Sequence, residues 1–255
     1  MHANLANRSS TLSVELIALL TVCVFLVSLL YSSVGHAGAS GYIAVMTLFE
    51  IAPEEIRPTA LALNILVASI GTWQFYRAGH FRWSLFWPFA VLSVPMAFAG
   101  GYISVPTGAF KMLVGAVLLI SAVQLVFRPP TEADSRPPNR LIAASSGAGL
   151  GLLSGLTGPG GGIFLTPLLI FMRWARTKTA AGVSALFILL NSTAGLAGNI
   201  TSTHNIPVLI WPLMVAVGVA GFLGSYAGSR ALPELAIKRL LAAVLLVAGL
   251  KLVFG

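Results

Sequence analysis

From Thr179 to Ser229 the sequence contains no Asp, Glu, Lys or Arg, a run of 51 residues. About 20 apolar residues carry a helix across the roughly 30 Å hydrocarbon core of a bilayer, so this run alone has length for two crossings. Shorter charge-free runs occupy 16–49, 58–76, 83–110 and 141–172. Charged residues make up 9% of the chain, against about a quarter in soluble domains. The mean hydropathy is +0.91. A soluble core needs no runs of this length. The pattern is that of an all-α, polytopic transmembrane helical bundle set in a lipid bilayer.

The excess of 15 Lys and Arg over 7 Asp and Glu does not point to nucleic acid. The basic residues lie between apolar segments, where the positive-inside rule puts them. Cys23 stands alone in an apolar stretch and reads as a small buried hydrophobe, so neither a disulfide nor a metal cluster is expected. The four histidines lack ligand spacing. No cofactor is implied, and no nucleophile or acid–base cluster indicates an enzyme. Arg8, the apolar stretch 14–30 and "HAGAS" bear a faint likeness to a signal peptide. The stretch is long for one, and the repeat described next makes 31–41 the counterpart of a later glycine run.

The chain resembles itself. "AVLLISAVQLVF" (116–127) matches "AVLLVAGLKLVF" (243–254) at an offset of 127, and Pro106 and Lys111 fall on Pro233 and Lys238. "LFWPFAV" (85–91) resembles "LIWPLMV" (209–215), and "VGHAGAS" (34–40) lies opposite "LTGPGGG" (156–162). The order of landmarks is the same, which implies a duplication. Residues 1–127 form a first transmembrane repeat, 128–140 ("RPPTEADSRPPNR") a polar linker, and 141–255 a second repeat.

Each repeat reads as a broken helical pair followed by three spans. The expected segments are 12–33, 38–49, 58–76, 84–104 and 108–127, then 141–156, 160–172, 179–198, 207–228 and 236–254. Pieces 38–49 and 160–172 are too short to cross at 1.5 Å per residue, so the count lies between six crossings with two hairpins and ten crossings. Either way the pair returns to its starting side. One side then carries eleven basic and three acidic residues, in 77–82, the linker, "RWARTK" (173–178) and 230–239. That side is expected to be cytoplasmic, with both termini outside and the halves inverted.

Between Gly155 and Gly162 the run "GLTGPGGG" holds five glycines and a proline. A helix broken there leaves N–H groups without partners, which hydrocarbon does not tolerate but a protein-lined or watery cavity does. Such groups favour an anion. Gly158, Gly160, Gly161 and Gly162 allow close approach to the backbone, Pro159 can open the second arm, and Thr157 adds a hydroxyl. Close helix packing is the plainer role for isolated glycines such as Gly195 and Gly221. A nucleotide loop is excluded, because no Gly-Lys-Ser/Thr follows. In the first repeat, "SSVGHAGASGY" (32–42) brings Gly38, Ser40 and His36, which can donate to an anion, carry a proton or simply satisfy a local hydrogen bond. Asn64 falls opposite Ser184, and Asn191 lies two turns beyond Ser184. These three either line a polar path or tie helices together. The substrate is expected to be a small anion. Proton or sodium coupling is possible, although no carboxylate lies in the apolar runs to serve it.

"GLTGPGGGIFLTPLL" (155–169) resembles the signature of the TauE/SafE family of sulfite exporter-like membrane proteins, with Gly158, Gly160 to Gly162 and Pro167 on its Gly-x-Gly-Gly-Gly run and following proline. "TAAGVSALFILLNS" (179–192) resembles that family's next helix. The likeness spans essentially the whole chain; the first repeat departs from it, with Ala37 and Ala39 flanking Gly38. The resemblance implies transport of small sulfur-containing or organic anions, such as sulfite or sulfonates, across a bacterial plasma membrane. With inverted repeats and broken helices, the expected mechanism is a secondary transporter working by alternating access, a channel being the alternative.

Overall fold

The computed structural model describes residues 14–49, 51–103, 138–204 and 209–233, with single positions at 207, between 112 and 123 and between 235 and 253. Every regular element among them is a helix. The first four are α1 (Val14–Ser33), α2 (Ala39–Leu48), α3 (Pro53–Arg77) and α4 (Trp83–Tyr102). The next four are α5 (Arg140–Thr157), α6 (Gly162–Phe171), α7 (Thr177–Thr203) and α8 (Ile210–Tyr226), and α8 runs on into a π turn, Ala227–Ala231. The spans expected at 108–127 and 236–254 lie largely outside the described residues, as does most of the 128–140 linker.

Local chemistry sets the helix ends. α3 starts at Pro53, five residues before the expected span, because Pro suits a first helical position and Glu54 and Glu55 complement the N-terminal dipole. Asn139 caps α5 by accepting from the Leu141 N–H at 2.9 Å. The glycine-rich stretches do break helices. α2 and α6 have 10 residues each, about 15 Å long, and neither reaches across a bilayer. Four described segments are long and apolar enough to do so: Glu15–Ser33, Trp83–Tyr102, Thr177–Thr203 and Ile210–Ala231.

The helices pack in pairs with almost no side chain between them. α4 lies along α5, and α1 lies along α8. α3 and α7 pack on each other in the centre; α4 also touches α7, and α3 touches α8. On α5, Gly147, Gly151 and Gly155 face the carbonyls of Phe89, Ser93 and Ala97 on α4, four residues apart on both helices. A Cβ at any of the three would overlap a backbone oxygen. This small-residue seam is how membrane helices gain van der Waals contact where lipid offers no hydrophobic drive. Outward, Trp73, Tyr76, Trp83 and Trp87 are exposed around the turn between α3 and α4, and Arg77 lies 5.2 Å over the Trp73 ring. Such amphipathic rings mark a headgroup boundary.

Candidate functional site

The break between α1 and α2 is built by a glycine turn. The Gly35 N–H bonds to the Ser32 carbonyl at 3.1 Å and the His36 N–H to the Tyr31 carbonyl at 2.9 Å, with Gly35 left-handed at φ 79°. That pairing closes a helix and fixes the residue after the glycine. His36 is therefore held inward, 3% exposed, against α6. Its Nε2 lies 2.9 Å from the Thr166 hydroxyl on α6, which donates to Ser184 Oγ on α7 at 2.8 Å. With that proton given to Ser184, Thr166 accepts from His36 Nε2–H, and Nδ1 carries a lone pair. Nδ1 is buried and has no partner.

The second break uses three left-handed glycines: Gly158 (φ 91°), Gly160 (φ 78°) and Gly161 (φ 77°). Left-handed backbone is costly for residues with a Cβ, which is why the run is glycine-rich. Pro159 sits within the turn, and α6 itself opens at Gly162 with Gly161 as its N-cap.

The two arms start differently. Neither has a side-chain cap from its own N-cap residue. At α2, however, Asn64 reaches over from α3, and its Oδ1 accepts the Ala39 N–H at 3.1 Å. At α6 the neighbour of Gly162 is apolar, since a Cβ there would run into the Ile188 side chain. Asn64 also donates from Nδ2 to Ser192 Oγ on α7 at 3.3 Å. Gly160 fits against this pair: a Cβ would come within 2.8 Å of both Asn64 Nδ2 and Ser192 Oγ. Gly161 fits against Phe187 and Ser154, whose Oγ is buried without a partner.

His36, Asn64, Gly160, Gly161, Gly162 and Ser184 thus meet where the two breaks converge, together with Thr166, Ser192 and Ser154. The other residues singled out lie around this centre. Gly38 is left-handed at φ 105° and stands against the Tyr42 ring. Ser40 donates to the Tyr31 hydroxyl at 3.1 Å. Thr157 bonds back to the Leu153 carbonyl of its own helix. Gly158 lies next to Arg57. Asn191 accepts from Ser93 on α4 and donates to the Phe187 carbonyl at 2.8 Å, so it ties α7 to α4. Counted from the helix starts, Pro53 and Thr177, which are 124 residues apart (177 less 53), Asn64 falls level with Ile188 rather than with Ser184. Thr166 and Ser192 left little signal in sequence, because hydroxyl residues are common in membrane helices and only the fold turns these two inward.

The family model described as Sulfite exporter TauE/SafE matches residues 20–252. Among curated proteins, the probable membrane transporter protein y4hK of Sinorhizobium fredii (strain NBRC 101917 / NGR234) is 38% identical over 240 residues, covering 92% of this chain and 97% of that protein. The probable membrane transporter protein YdhB of Bacillus subtilis (strain 168) is 24% identical over 248 residues, covering 92% and 100%. No solved structure matches.

Proposed function

The chain belongs to the sulfite exporter TauE/SafE family and is a membrane transporter, and from that premise we propose that it carries a small sulfur-containing anion, sulfite or an organosulfonate, through the point where its two helix breaks meet. The observation that carries this reading is the asymmetry of the two arms. Asn64 already fills the N-terminus of α2, whereas that of α6 has no side-chain cap; Ser154, whose Oγ has no partner, packs against Gly161, and His36, whose Nδ1 has none, reaches Thr166 a turn further on. Buried polar groups are nearly always paired, so orphans on both sides of the start of α6 favour a polar ligand there. The free N–H groups and helix dipole select negative charge. The glycines let an oxygen come within hydrogen-bond distance of the backbone. Protonation at Nδ1 would turn His36 from an acceptor into a charged donor, which gives proton coupling a residue where the charge-free runs hold no carboxylate.

Alternating access by inverted repeats is part of the same reading. Matched contacts support it. Gly100 stands on the Leu152 carbonyl and Gly224 on the Leu29 carbonyl, at offsets of 124 and 123 (224 less 100, 152 less 29). Gly35 rests on Ala181 as Gly158 rests on Arg57. Exchanging the repeats turns the α4–α5 pair into α8–α1, and both pairs occur.

The test is uptake into proteoliposomes of sulfite, sulfate, thiosulfate and short organosulfonates, with and without a pH gradient. Saturable uptake of a sulfur anion is expected, with the gradient response lost in His36→Gln. Uptake of none of them, with carboxylates carried instead, would overturn the substrate class; unsaturating conductance would replace the carrier by a channel.

A further inference from the structure

Resting on that reading, we propose that Arg57 is the anion's gate residue: it is parked on the carbonyl ends of α4 and α5, and an arriving anion draws its guanidinium away and so frees the approach to the second break. Arg57 lies in the first turn of α3 and is partly buried. Its Nη1 donates to the Ile103 carbonyl at 3.0 Å, and its Nη2 to those of Gly100 (2.6 Å), Gly101 (2.7 Å) and Gly155 (2.5 Å). Every acceptor is a neutral carbonyl in or just past the last turn of α4 or α5, where backbone oxygens lack helical partners and the dipole is negative.

Two features distinguish this from an ordinary helix cap. Among the described residues no carboxylate bonds to Arg57, so its charge is met only by dipoles. Its Nε is buried with no partner at all, which leaves one edge of the fork unused. A sulfonate or other oxyanion can bind that edge bidentately through Nε and a neighbouring Nη, adding the attraction of opposite charges that the neutral carbonyls do not supply. The anion therefore competes favourably for the fork. The location suits the role, because a Cβ on Gly158 would lie 3.5 Å from Arg57 Cγ, placing the side chain against the turn that opens the break. Because the four bonds tie α3 to both α4 and α5, losing them frees the start of α3 from that pair.

Gly158→Cys, placed in a Cys23→Ser background, reports on the passage, since Gly158 is buried against Arg57 at the turn that opens the break and has room for a Cβ. The probe is a membrane-impermeant maleimide, and the anion is ethanesulfonate. With Arg57 present, labelling should be slow and should accelerate about tenfold in the anion, the factor one hydrogen bond to a charged group sustains. In Arg57→Gln it should be fast with or without the anion. Arg57→Lys, which keeps the charge but not the fork, should fall between, and it serves if the glutamine variant does not run as a folded species in gel filtration. Labelling in Arg57→Gln as slow as with Arg57 overturns the proposal. So does fast labelling of that variant alongside an Arg57 protein that ignores the anion, which would make Arg57 a structural clamp. Failure of the proposed substrate class is seen separately, as absence of uptake by the Arg57 protein.

Discussion

At the scale of single residues, the glycines of the second break are not interchangeable. Gly158 has left-handed backbone but room for a Cβ, its nearest neighbours being 3.5 Å away. Gly158→Ala should cost roughly 1–2 kcal/mol of stability and leave transport standing. Gly160 has the same backbone demand, but its Cβ would push into Asn64 and Ser192. Gly160→Ala should therefore stop transport in protein that still folds. Parallel uptake and thermal-unfolding measurements separate the two, and equal loss of transport in both would contradict the assignment of Gly160 to the centre. Asn64→Ala strands the buried Ala39 N–H and should lower stability by about 1–3 kcal/mol, while Asn64→Asp keeps the acceptor and recovers part of it. Detergent melting curves of the two variants decide this. The breaks themselves were legible in sequence, because runs of glycine beside proline have few other uses inside an apolar segment. The cap supplied by Asn64 was not, since it acts through space across 25 residues. Arg57 left no such signal either, because its acceptors are backbone atoms brought to it by the ends of α4 and α5.

At the scale of elements, the seam between α4 and α5 is the most sensitive contact. Gly151→Ala sets a methyl against the Ser93 carbonyl, and the helices must separate to accept it. Overpacking of this kind costs about 1–3 kcal/mol. Gly149, on the same helix, faces open space, and Gly149→Ala should leave the melting temperature unchanged or raise it. Finding the two variants equally stable would show that the seam does not hold the pair together. Sequence placed α5 and α4 closely, but the partnership between them was hidden. The spacing of Gly147, Gly151 and Gly155 announces a close neighbour without saying which helix it is.

At the scale of the whole molecule, the excess of basic residues on one side predicts how the protein sits. A cysteine at Asp134, in a Cys23→Ser background, should react with an impermeant thiol reagent only when the cytoplasmic face is exposed. Labelling in intact cells would reverse the orientation. The helical bundle could be read from charge-free runs; which helix pairs with which could not, because apolar stripes fit many partners. The pairing has its own consequence. α1 and α4 precede the 128–140 linker and α5 and α8 follow it. Each side of the linker lays its helices against the other's, like two hands with fingers interlaced. Among the described residues, each half therefore completes this packing only against the other. The covalent join should still be dispensable: two fragments divided between residues 128 and 140 and made in the same cell should find each other and restore transport, where either fragment alone is degraded.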